Sequence, residues 1–231
     1  MPISGHVATV IYTEKELAEI LLPGDILLVE GNLRISVAIK YITQSTWSHA
    51  AIFVGNNPKN GNETAEPLTL IEADVQRGVV TVPLSKYCTL QTRICRPVGL
   101  STDDCRKVVD FMMSRLGNSY DLKNVIDLAR YLLPTPPVPT RWRRRLLALG
   151  SGKPTRSICS TLIAEAFQSV RYPILPIVIH KNSPSSDITE ALHIRHHSLF
   201  APRDFDLSPY FQIVKPALNA NFKYKNLKWE E

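Results

Sequence analysis

Short apolar runs separated by turn residues fill the first hundred positions of the chain, and stretches with helical spacing follow them. Thr13-Glu14-Lys15-Glu16 has the form of a capping box, with Tyr12 and Leu17 placed for a hydrophobic staple. A short helix is therefore expected to about Leu22, ended by Pro23-Gly24. Residues 25–30 form a compact apolar run closed by Gly31-Asn32 and predict a strand. Ile35, Ala38, Ile39 and Ile42 recur at helical spacing. From Trp47 to Gly55 the run is apolar on both faces, as in a central strand. Residues 56–67 are polar, and their Asn-Asn-Pro and Asn-Gly steps mark a surface loop. Strands are expected over 68–74, 79–82 and 93–96, and their short connections imply antiparallel pairing.

Ser101-Thr102-Asp103-Asp104 starts a third helix whose buried face is Cys105, Val108, Val109, Met112, Met113 and Leu116. That pattern assigns Cys105 to the core. The character changes over 132–153. Leu133-Pro134-Thr135-Pro136-Pro137-Val138-Pro139 suits polyproline II, and a basic, aromatic cluster, Arg141-Trp142-Arg143-Arg144-Arg145, leads into Leu146-Leu147-Ala148-Leu149. Beyond it, Leu162, Ile163, Ala166, Phe167 and Val170 mark one buried helical face. Tyr172-Pro173-Ile174-Leu175-Pro176 turns the chain, and the tail after it reads as surface loops and short helices. No internal repeat is visible.

Composition narrows the class. At 231 residues, with 44% apolar and 21% charged positions, the chain can bury a real core. We expect a single domain over 1–231, with a core at about 23–170, an insertion at about 132–153 and a loop-rich C-terminal extension. A net charge of +6 and a pI near 9.2 admit nucleic acid, anionic lipid or an acidic partner without choosing among them. Cys88, Cys95, Cys105 and Cys159 form no CxxC pair, so neither a zinc site nor a disulfide framework is indicated. No basic region with an apolar run opens the chain, and no stretch approaches the length of a membrane span. The expected location is cytoplasmic, with peripheral membrane association left open.

Three residues carry candidate chemistry. Cys159 stands where the helix marked by Leu162 and Ile163 should begin, and a helix N-terminus favours a thiolate. The bland alternative is a small buried hydrophobe. His49 fixes a polar ring at the start of an apolar strand, and Glu72 puts a carboxylate within another, Leu70-Ile71-Glu72-Ala73. Burying such a group costs several kcal/mol unless it is paired. Adjacent antiparallel strands bring same-face residues close enough for a carboxylate to hold an imidazole. Residues two apart share a face, so strand parity leaves Asp74 open beside Glu72. Glu72 lies deeper in the apolar run and is chosen. Cysteine, histidine and carboxylate together make an activated thiol that attacks a carbonyl, with His49 and Cys159 expected within about 3–4 Å.

Asp25-Ile26-Leu27-Leu28 after Pro23-Gly24, then Trp47-Ser48-His49-Ala50-Ala51-Ile52, Ile71-Glu72-Ala73, Ser119-Tyr120-Asp121 and Ile158-Cys159-Ser160 resemble the YiiX-like permuted papain-fold cysteine amidases and peptidases. These belong to the NlpC-type superfamily, to which the lecithin:retinol acyltransferases are related. The resemblance spans about Pro23 to Val170. It implies an α+β fold, a circularly permuted papain-like arrangement with an antiparallel barrel-like sheet and the nucleophile helix packed against it. It also implies His49 as base, Glu72 as orienting group and Cys159 as nucleophile. Tyr120 matches a tyrosine near the family's pocket, and Trp47 and Ser160, within the His49 and Cys159 motifs, join it as expected substrate contacts.

The expected activity is a thiol-dependent amidase or peptidase-like hydrolase, cleaving an amide or ester through a Cys-His-Glu triad and an acyl-enzyme. No cofactor or metal is expected. His193-Ile194-Arg195-His196-His197 lacks partners at ligand spacing and reads as a surface loop. The alternatives are a lipid-directed thiol acyltransferase or esterase of the same fold, or a binding module with a dead site. The expected partner is an amide- or ester-containing substrate such as a peptide, a modified amino acid or a lipid. The 141–149 stretch could additionally meet an anionic membrane surface. One short arginine cluster among 21 acidic residues is a thin footprint for nucleic acid, and none is expected.

Overall fold

The structure, a computed structural model, describes residues 11–56, 68–74, 77–118, 158–181, 189–193 and 195–215. The expected 56–67 loop beyond Asn56, Tyr120 and the Pro/Arg-rich 132–153 stretch lie outside them.

The capping box forms as its sequence dictates. Thr13 caps helix α1 (Glu14–Ala18) and Glu16 reaches back to the Thr13 backbone N–H at 2.8 Å. Strand β1 (Ile26–Val29) is buried at all four positions because both its faces are covered. Helix α2 (Arg34–Thr43) leads to β2 (His49–Asn56), and β3 (Leu68–Asp74), β4 (Gly78–Pro83) and β5 (Thr92–Pro97) follow. A 3-10 helix, Leu84–Tyr87, joins β4 to β5. Helix α3 (Thr102–Ser114) begins at a Ser101 cap, and α4 (Ile158–Ser169) is the cysteine helix.

All pairing in the main sheet is antiparallel, in the order β4-β3-β2-β1-β5-β8 with β8 at Phe211–Val214, and the sheet is open, ending at β4 and β8 without closing. Alternation divides its residues between two layers. Ile26, Leu28, Ala50, Ile52, Ile71 and Ala73 pack with α3 and α4. Leu27, Val29, Ala51, Phe53 and Leu70 pack with α1 and the 3-10 helix. Gly55 (φ 82°) stands where the β2–β3 register shifts, and an added Cβ would lie 3.2 Å from Pro23, so glycine suits the bulge.

Two expectations change. Cys105 is half-buried at the edge of α3, where its thiol donates to the Pro23 carbonyl at 3.1 Å. The apolar spacing was right for Val108 and Met112, but Cys105 lies in the first turn, where α3 has only begun to meet the sheet. The tail is not only loops and short helices. It contributes a β6–β7 pair (Ile177–Lys181 with Thr189–His193), helix α5 (Pro202–Leu207) and β8 (Phe211–Val214), which pairs with β5. Phe200, Phe205 and Phe211 enter the core beside Phe167 of α4. The core therefore runs well past residue 170. None of the four cysteines is in a disulfide, and burial pushes the Cys95 thiol upward, which marks it as an inert core residue. Among the described residues no helix is long and apolar enough to cross a membrane.

Candidate active site

His49 opens β2, and the β2–β3 pairing runs from Asn56↔Leu68 to Ile52↔Ile71, so His49 lies three residues beyond the last pair. At the end of that ladder, side chains from the two layers can meet. By parity Glu72 shares a face with Leu70, on the side of the 3-10 helix. Cys159 comes from the other layer, in the first turn of α4, and is 6% exposed. The His49 ring stands between them. Its Nε2 lies 2.9 Å from Glu72 Oε2, and Cys159 is near enough to bear on the charge of the imidazole.

Glu72, only 1% exposed, takes four donors. Oε2 accepts from Tyr87 Oη and faces His49. Oε1 accepts from Lys86 Nζ and from Arg77 Nη2, the latter at 3.2 Å. Burial by itself would raise its pKa. The bond and charge of His49, with the bonds of Lys86 and Tyr87, outweigh that and hold the carboxyl down at about 2. Burial likewise favours a neutral His49, but the negative charge and hydrogen bond of Cys159, followed by those of Glu72, raise its imidazole to about 10. Tyr87 is pushed upward by burial and by Glu72, so its hydroxyl keeps its proton and remains a donor.

Asp74, at the end of β3, meets Arg77. It accepts from the Arg77 backbone N–H at 2.9 Å and lies 3.6 Å from the Arg77 guanidinium, bracing the β3–β4 turn. Ser160 is fully buried and its hydroxyl donates to the Phe200 carbonyl at 2.7 Å, which fastens the start of α4 to the segment before α5. Trp47 is 3% exposed, donates from Nε1 to Asp206 at 3.0 Å, and lies under the Arg93 guanidinium. Neither Lys86 nor Tyr87 stood out in the sequence, because Leu84-Ser85-Lys86-Tyr87 has the composition of any connection. The one available signal was Glu72 itself, a buried charge that required more partners than one imidazole.

With the geometry described, comparison with known proteins is informative. Residues 21–131 match the model of the Peptidase_C92 family, described as permuted papain-like amidase enzyme, YaeF/YiiX, C92 family. The chain is YiiX-like. That family is one of papain-like amidases and peptidases, and by class this chain is a thiol-dependent cysteine hydrolase. The matched segment contains His49 and Glu72 and stops short of Cys159. Among solved structures, the metalloprotein yiiX from Escherichia coli O157:H7 is similar over 84% of this chain and 96% of that one, at 15% identity and a TM-score of 0.49. No curated protein matches. Among the described residues no group of three or more His, Cys, Asp or Glu side chains is arranged to hold a metal ion.

Proposed function

We propose that the protein hydrolyses an amide bond with Cys159 as nucleophile, His49 as the proton carrier and Glu72 as the group that orients the ring, through an acyl-enzyme. The observation that carries this reading is one imidazole bonded to a buried, ionised carboxylate, with Cys159 near enough to raise its pKa. With Nε2 engaged by Glu72, Nδ1 serves the thiol. An imidazole raised to about 10 keeps its proton at neutral pH, and an imidazolium beside a thiol favours the thiolate.

The thiolate attacks the substrate carbonyl carbon, forming a C–S bond as the carbonyl electron pair moves onto oxygen. Backbone N–H groups in the first turn of α4 lack partners within the helix, which suits them to receive that oxyanion. Collapse breaks the C–N bond, and the imidazolium gives its proton to the departing amine. Water then attacks the thioester and its proton passes to His49. The C–S bond breaks, the carboxylic acid leaves, and the thiolate–imidazolium pair is restored.

Iodoacetamide tests the reading without a known substrate. Alkylation of Cys159 should stay fast well below the ordinary thiol pKa of about 8.5 and change again only as His49 deprotonates. A rate that simply follows an ordinary thiol titration sinks the triad and leaves a binding module. Mass spectrometry of Cys159 after incubation with cell lysate should then reveal a trapped acyl group and its chemical class.

A further inference from the structure

At the end of the sheet that carries His49, a cavity of about 260 Å³ opens beside Trp47. Its walls include Gln44 and Trp47 from the segment before β2, Gln91 and Arg93 at the start of β5, and Arg203 and Asp206 of α5. The charges are unequal: two guanidinium groups face one carboxylate. That carboxylate is already spent. Asp206 accepts from Arg93 Nη1 on both oxygens, at 2.7 and 2.9 Å, and from Trp47 Nε1 at 3.0 Å. Arg203 uses Nη1 on the carbonyls that end α2, Thr43 at 2.5 Å and Gln44 at 3.5 Å. Its Nε and Nη2 make no hydrogen bond among the described residues, and neither does the Gln91 side-chain amide. A guanidinium edge with two parallel N–H donors fits a carboxylate or a phosphate.

The register fixes how far this cavity stands from the chemistry. His49 is opposite Val29, and Val29 is opposite Thr92, between Gln91 and Arg93. Neighbouring strands lie about 4.8 Å apart, so Thr92 is about 10 Å from His49 across the sheet, and its neighbours Gln91 and Arg93 present the cavity on the face shared with Leu28, the layer of α4 and Cys159. That distance is the length of about three extended residues. We propose that the cavity binds an oxyanion, carboxylate or phosphate, carried by the substrate at that distance from the bond to be cleaved. The word substrate rests on the hydrolase reading above, whereas anion binding by Arg203 does not. A remote group held in this way supplies binding energy that aligns the reacting carbonyl.

The test is a titration of the full chain with sodium phosphate and, separately, sodium acetate, followed by NMR at the Trp47 indole N–H and the Gln91 side-chain amide. Saturable shifts are expected with at least one anion, and the anion that acts at lower concentration identifies phosphate or carboxylate as the source. Arg203→Gln should weaken the response at least tenfold. Because Arg203 also caps α2, Gln91→Glu provides a second variant that places a negative charge in the cavity without touching that cap, and it should weaken binding as much. Failure of both anions to shift these signals, or equal affinity in the wild type and both folded variants, overturns the proposal. Iodoacetamide profiles on the same samples keep the two readings separate. An ordinary Cys159 thiol with intact anion binding rejects the hydrolase and spares the site, and the reverse pattern rejects the site alone.

Discussion

A carboxylate buried as deeply as Glu72 persists as an anion only if its charge is answered, and His49, Lys86, Tyr87 and Arg77 answer it. Glu72→Gln removes the anion from the imidazole but keeps the side chain's shape. His49 should then lose part of its upward shift, so the alkaline limb of Cys159 alkylation moves to lower pH. Turnover should fall about 10²-fold or more, the scale of a positioned proton carrier. Asp74→Asn should leave that limb in place, because Asp74 serves Arg77 and the turn. The reverse outcome would transfer the orienting role to Asp74. The same two groups set stability against pH. His49 is raised from 6.5 to about 10, so its contribution is complete below about pH 6.5 and is lost as pH climbs to about 10. Glu72 is lowered from 4.5 to about 2, so its contribution is present above about pH 4.5 and is lost on acidification towards 2. Urea melts should therefore be most resistant between about pH 4.5 and 6.5 as far as these two groups decide, and His49→Ala should flatten the alkaline side. His49, Glu72 and Cys159 stand out in the sequence because each is a polar or reactive group set against an apolar pattern, and the expected contact between His49 and Glu72 forms in the fold. Lys86 and Tyr87 could not, since their contacts with Glu72 exist only once the 3-10 helix folds over β3.

Periodicity described the elements well where one face or both are buried. The residues of β3 match the expected strand end to end, and α3 begins at the expected serine cap. Pattern alone gave no sign of what joins the elements. Asp25 stands just before β1 at 1% exposure, where it accepts from Arg96 Nε at 2.9 Å and Nη2 at 2.7 Å and from the Leu22 N–H at 2.8 Å. One carboxylate thus binds β5 to the end of the α1 segment, across a sequence separation that no local window spans. Asp25→Ala leaves the Arg96 guanidinium and the turn without their acceptor and should cost about 3 kcal/mol in chemical denaturation. Asp25→Asn should cost less, because it retains an acceptor for the backbone N–H. Equal stability of wild type and alanine variant would mean that Arg96 finds another partner at no cost.

The whole molecule seats α4, the helix of Cys159, with help from a part of the chain that looks peripheral in sequence. The tail reads in sequence as surface loops and short helices because its aromatics stand isolated among prolines and histidines, with neither a helical nor an alternating rhythm long enough to register. In the folded chain those aromatics converge. Phe205 and Phe167 each meet Phe211, at ring distances of 5.7 and 5.3 Å, and Tyr172 completes the group, its hydroxyl donating to the Tyr210 carbonyl at 2.6 Å. The same region receives the Ser160 hydroxyl at Phe200, one residue after Cys159. Packing around β8 and the seat of α4 are therefore one structure, and damage to the first should reach the second. Phe211→Ala should cost about 3–4 kcal/mol, from lost burial and the cavity left behind. A chain ending before Phe200 loses β8, α5 and the acceptor for Ser160 together. In that shortened chain Cys159 should alkylate as an ordinary thiol even under conditions where circular dichroism still reports strands. Wild-type Cys159 reactivity in it would show that α4 is seated by the sheet alone.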